Sequence, residues 1–124
     1  MSMVYNKSLL KSFGYAIEGF WHALKSNRNL RIHLLTALAV IILSIYFHIS
    51  VYEKAILGIV ILLVISSEMI NTAIEEMVNL ITSEHRREAK VAKDVAAGMV
   101  LVAAVGSVII GLLIFTPYFL KLFY

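Results

Sequence analysis

The sequence contains no cysteine, which excludes disulfides, thiolate metal sites and cysteine nucleophiles. Charge is scarce as well: 15% of the 124 residues are Asp, Glu, Lys or Arg, against about a quarter in a typical soluble domain. No stretch matches G-x-x-x-x-G-K-[ST], G-x-G-x-x-G or G-x-S-x-G, so the common phosphate-cradling loops and the nucleophile elbow are missing. His33 and His85 each stand alone near a predicted interface with no His-x-x-x-His partner, so a histidine metal site is not expected. There is a single proline, Pro117, expected to stop the last apolar segment. What is present is apolar: 60% of the chain is hydrophobic and its mean hydropathy is +0.87. That is the composition of an integral membrane protein, and any site has to be built from the spans and their short connections. The net charge of +3 and pI near 9.3 are read as the rim of a bilayer rather than as a nucleic-acid surface.

Residues 1–33 read as an amphipathic surface helix. Leu10, Phe13, Ile17, Phe20, Trp21 and Leu24 fall on one side, and Lys7, Lys11, Tyr15, Glu18, His22 and Lys25 on the other, which suits the headgroup region of an anionic leaflet. These charges interrupt any run of signal-peptide length, so no cleaved presequence is expected. Residues 34–52 carry no formal charge; 19 residues make about 28 Å of helix, enough to cross a hydrocarbon core. Glu53 and Lys54 read as a tight polar break, 55–81 as a second span, 82–94 as a charged connection and 95–116 as a third span. The third is rich in small residues (Ala96, Ala97, Gly98, Ala103, Ala104, Gly106, Ser107, Gly111) and is expected to be an inner, closely packed helix. Of the 11 basic residues, only Lys54 and Lys121 fall on one side of these spans; the rest lie before the first span or in the second connection. The positive-inside rule then puts the N-terminus in the cytoplasm, in a multi-pass protein of the plasma membrane.

The second span carries the unusual residues. Glu68, Asn71, Thr72, Glu75 and Asn79 share one helical stripe about 100° wide. A carboxylate at membrane depth costs at least ~2.5 kcal/mol on insertion scales, so two on one stripe mark a functional site. Their depth separates their roles. Glu68, farther from the cytoplasmic interface, suits a general base, whereas Glu75, nearer the water, suits a hard cation such as Mg²⁺. In the connection, Lys93 beside Asp94 could hold a phosphate and a ribose or metal-bound group, or belong to a solvated loop that enforces topology. On these grounds alone the chain is either an enzyme acting on a membrane lipid or a subunit of a proton or cation pathway.

The run Glu68-Met69-Ile70-Asn71-Thr72-Ala73-Ile74-Glu75, followed by Ala89-Lys90-Val91-Ala92-Lys93-Asp94, closely resembles the small prokaryotic diacylglycerol kinase family. The likeness extends over nearly the whole chain, and Arg28-Asn29-Leu30-Arg31-Ile32-His33 together with the Ile-Ile-Gly-Leu-Leu-Ile-Phe-Thr-Pro ending are similar to its undecaprenol kinase branch. The resemblance implies a homotrimeric all-α bundle of three-span subunits with composite cytoplasmic sites that move the γ-phosphoryl group of Mg-ATP to a lipid alcohol. Undecaprenol is the first expectation for that lipid and diacylglycerol the second. It implies Glu68 as catalytic base, Glu75 as a ligand of the metal and nucleotide, and Asn71 as their support. It further implies Lys93 and Asp94 on ATP, Tyr15 as a nucleotide-site tyrosine, and Glu84, His85 and Arg86 where the connection meets the nucleotide. Asn27 stands where the family usually has a second metal-binding Glu, and Asn79 where it has Asp. An amide oxygen at Asn27 can still ligate Mg²⁺, but without charge attraction, so weaker metal affinity is expected, and a catalytically silent nucleotide- or lipid-binding member is the alternative.

Overall fold

The computed structural model describes residues 8–124; residues 1–7, with Lys7 of the first polar face, lie outside the described residues. The chain is four α-helices in the order α1 (Leu9–Ser26), α2 (Arg28–Tyr46), α3 (Val51–Ile81) and α4 (Arg87–Leu120), with no strand among the described residues. The last three are each long and apolar enough to cross a membrane.

Caps decide where the helices begin and end. Asn27 adopts an extended conformation (φ −109°, ψ 104°) and serves two helices at once. Its backbone N–H closes α1 on the Ala23 carbonyl at 2.8 Å, and its side-chain oxygen accepts the Leu30 N–H at 3.1 Å to open α2. Arg31 Nη1 then donates to the carbonyls of Leu24 and Lys25, each at 2.8 Å, placing a cation on the last orphan carbonyls of α1. The membrane helix α2 therefore starts at Arg28, six residues before the uncharged stretch.

The polar break between the first two spans falls at 47–50 and not at Glu53–Lys54. Ser50 and Glu53 form a capping box: Ser50 Oγ accepts the Glu53 N–H and Glu53 Oε1 accepts the Ser50 N–H, both at 3.1 Å, which draws both charged residues into the first turns of α3. The turn before it contains His48 in the left-handed region (φ 52°). Replacing Ser50 by Ala is expected to lower stability by about 1 kcal/mol, the usual worth of such a cap, read as a fall in the detergent-solubilised melting temperature.

The connection expected over 82–94 is also shorter. α4 already begins at Arg87, with Glu88 in the first turn where it complements the helix dipole and with Lys90 and Asp94 paired one turn apart. At its far end α4 continues through Pro117 to Leu120. Proline removes one helical donor, a loss that apolar helices tolerate when neighbouring groups take up the freed carbonyl.

The end of the bundle away from the charged connection is closed. Ile49, Leu57, Ile114 and Phe115 form a buried cluster, with Phe47 set against Phe115, Tyr118 and Phe119 at centroid distances of 6.3, 6.0 and 4.9 Å. Tyr118 Oη donates to Glu53 Oε1 at 2.6 Å and ties α4 to α3. Between lipid-facing helices such contacts stabilise by packing rather than by removal from water. Within one chain α4 is not an inner helix: it buries only Ala96, Ile114 and Phe115, and no side chain comes within 4 Å of where a Cβ would sit on Gly98, Gly106 or Gly111.

Candidate active site

The polar stripe of α3 is built as its spacing predicts, buried at Glu68, Asn71 and Thr72 and exposed at Glu75 and Asn79. Glu68 is 1% exposed, and its two oxygens meet different groups. Oε2 accepts from Asn27 Nδ2 at 2.8 Å, while Oε1 lies 3.3 Å from His33 Nε2, off the line of a hydrogen bond. Asn27 Nδ2 also donates to Thr72 Oγ1 at 2.9 Å, and Thr72 passes its own hydrogen to the Glu68 carbonyl at 3.0 Å.

This geometry gives Asn27 two partners of opposite kind. The Leu30 N–H demands an acceptor and the Glu68 carboxylate demands a donor, so the amide turns its oxygen to the helix cap and its nitrogen to Glu68. Asn27 thus holds the carboxylate through its nitrogen while its oxygen caps α2.

One turn nearer the connection, Asn71 Nδ2 donates to Glu75 Oε1 at 3.3 Å, and Asn71 Oδ1 is buried with no donor. The exposed carboxylate of Glu75 is a sparse, hard donor set; among the described residues no group of three or more His, Cys, Asp or Glu could hold a metal. Such a set fits Mg²⁺, which keeps waters and substrate phosphates in its shell and asks the protein for only one or two oxygens.

The charged residues form a second group. Asn79, Glu84, His85, Arg86, Lys90, Lys93 and Asp94 line a cleft of about 730 Å³ where α3 meets α4. Lys93 Nζ donates to Asn79 Oδ1 at 2.8 Å, Lys90 pairs with Asp94 at 2.5 Å, and Arg86 Nε with Glu84 Oε2 at 3.1 Å. Asn79 sits one turn beyond Glu75, so a single face of α3 links the buried carboxylate to the lysine. Tyr15 lies exposed in the middle of α1 and does not line the cleft. The exposed pair His22–Glu76, at 3.1 Å, joins α1 to α3.

Two participants are absent from the expected site. Thr72 belongs to the stripe, but its bond to Asn27 depends on a contact 45 residues away in sequence. His33 gives only the weak signal of a polar ring just inside an apolar helix, and its partner Glu68 depends on the register between α2 and α3, which no local pattern records.

The fold and the site define a helical membrane protein with a buried carboxylate joined to a cation-lined cleft. Over residues 14–115 the chain matches the family model described as prokaryotic diacylglycerol kinase, and it belongs to that family. It is similar to the undecaprenol kinase of Bacillus subtilis, 47% identical over 107 residues that cover 86% of this chain and 87% of the relative. It is also similar to diacylglycerol kinases of Synechocystis sp., 41% identical over 93% of this chain and 66% of the relative, and of Pseudomonas aeruginosa, 30% identical over 78% and 79%.

Proposed function

We propose that this chain is a membrane kinase that transfers the γ-phosphoryl group of Mg-ATP to the hydroxyl of undecaprenol. The observation that carries the reading is the single face of α3 running from buried Glu68 through Glu75 to Asn79 and its bond to Lys93. Similarity to the undecaprenol kinase of Bacillus subtilis favours undecaprenol over diacylglycerol as the acceptor.

Depth supports the division of labour. Counting from Lys54 at one rim, about 30 Å of helix reaches Ile74, which leaves Glu68 roughly 9 Å below the other rim and Glu75 at it. Glu68 is then level with a hydroxyl carried on a membrane lipid and is the base on which its proton ends. The freed oxygen attacks the γ-phosphorus as the bond to the departing ADP oxygen breaks. Lys93 offsets charge on the phosphate oxygens, while Asp94, Arg86, Glu84 and His85 bound the nucleotide. Glu75, supported by Asn71, would hold Mg²⁺, which would supply positive charge to the transferring group. Phosphoryl transfer asks mainly for such positioning and charge neutralisation.

The assembly is a homotrimer, with α1 lying in the headgroups and the N-terminus and site on the cytoplasmic side. The basic rim and the exposed Leu10, Phe13, Ile17 and Trp21 of α1 support this arrangement. The open glycine surface of α4 supports close packing against another copy.

The test is transfer of labelled phosphate from Mg-ATP to undecaprenol and to diacylglycerol in detergent micelles. Transfer with preference for undecaprenol is expected; folded, oligomeric protein that phosphorylates neither lipid would overturn the reading. Lys93→Ala is expected to raise the KM for ATP about 10- to 100-fold, the worth of one hydrogen bond to a charged group, with the lipid KM unchanged.

A further inference from the structure

Neither oxygen of Glu68 is open to an incoming hydroxyl. Oε2 is taken by Asn27, Oε1 is covered by His33, and the residue is 1% exposed. A base that the acceptor cannot touch must be reached through a group that it can.

His33 is that group. Its side chain is 25% exposed, and it lines a crevice of about 170 Å³ between α2, α3 and α4. Apolar side chains such as Leu57, Val64 and Phe115 make up most of the wall. Two other polar side chains line it, but both hydroxyls are satisfied: Thr36 donates to the Ile32 carbonyl at 3.0 Å and Ser107 to the Ala104 carbonyl at 2.7 Å. His33 is the titratable member of the lining, and among the described residues its ring has no hydrogen-bond partner. It stands at the end of the crevice nearest Glu68, where the functional face of α3 begins.

Resting on the lipid-kinase reading, we propose that His33 relays the acceptor's hydroxyl proton to Glu68, with the apolar crevice seating the first carbons of a long-chain alcohol. With its hydrogen on Nε2, the imidazole gives that hydrogen to Glu68 Oε1 as Nδ1 takes the one from the hydroxyl. The ring changes tautomer and stays neutral, the carboxylate becomes a carboxylic acid, and the oxygen is left free to bond the γ-phosphorus as the ADP oxygen departs. A small rotation of the ring turns the 3.3 Å approach into an aligned hydrogen bond, as loose contacts of this kind tighten once substrate is bound.

The surroundings leave the relay to this pair. From α3 the charged group against His33 is Glu68. From α4 the crevice presents Ser107, which is uncharged, and on α2 Arg31 is turned to the carbonyls of Leu24 and Lys25. No charged group of α1 is in contact with the ring among the described residues.

The experiment compares wild-type protein with His33→Gln and His33→Asn in the undecaprenol assay, over a range of ATP concentrations up to saturation. Both amides keep a polar group at the site but do not accept a proton. A relay predicts that both variants lose at least about 100-fold in kcat, the usual worth of a positioned acid-base group, with the KM for ATP unchanged. Rescue by either amide to near wild-type kcat, or a loss that falls on the KM for ATP instead of on kcat, would overturn the relay. Wild-type protein inactive on both lipids would instead overturn the kinase reading on which it rests.

Discussion

Glu68→Gln is expected to abolish phosphoryl transfer while leaving the protein folded and assembled. Gln has nearly the volume of Glu, and its amide oxygen can still accept from Asn27 Nδ2, so the contact that now holds Oε2 at 2.8 Å survives. What is lost is the capacity to take a proton. Removal of a positioned acid-base group lowers rates by about 10²- to 10⁴-fold, so the labelled-phosphate assay should fall to background at a melting temperature within a few degrees of wild type. Full activity in this variant would refute the base assignment whatever the fate of the relay.

Asn27→Ala is expected to have the largest effect on stability of any single truncation at the site. One side chain opens α2, donates to Glu68 and donates to Thr72. Loss of an N-cap costs about 1 kcal/mol. Loss of a donor to a buried carboxylate adds the penalty of an unmet charged acceptor, about 1–3 kcal/mol or more. A combined loss of roughly 2–4 kcal/mol should appear as a large drop in melting temperature, and activity should fall with it because Glu68 is no longer fixed. Asn27→Asp separates the two losses. The isosteric acid keeps an oxygen for the Leu30 N–H but sets a second carboxylate against Glu68, so the cap is retained and the carboxylate is not.

How much of this was legible in the sequence depended on the reach of each signal. The membrane class, the number of spans and the stripe of α3 rest on composition and a period of 3.6 residues, and these the fold reproduces directly. Boundaries fared less well because they rest on individual side chains. The Ser50–Glu53 capping box pulls a charged pair into a helix where charge alone suggests a break. The Lys90–Asp94 pair likewise makes helix of what reads as loop. Asn27 was singled out for its place before Arg28, but the direction of its amide depends on Leu30, three residues on, and on Glu68, 41 residues on. His33 was harder still, since its meaning lies wholly in the register of two helices. The pattern of Glu68, Asn71 and Glu75 could be seen along one helix; what surrounds Glu68 could be seen only across three.

The seal over Glu68 has a consequence for fidelity. ATP held beside an accessible base in a wet cleft is liable to transfer its phosphate to water, the most abundant hydroxyl compound present. A carboxylate 1% exposed, with an amide on one oxygen and an imidazole over the other, does not activate solvent. On the proposed relay, a hydroxyl delivered from the hydrocarbon side, along the apolar wall, reaches His33 and not the carboxylate. Under the proposed mechanism, the burial that keeps Glu68 from its substrate in the resting protein is therefore also what keeps the nucleotide from being spent without one.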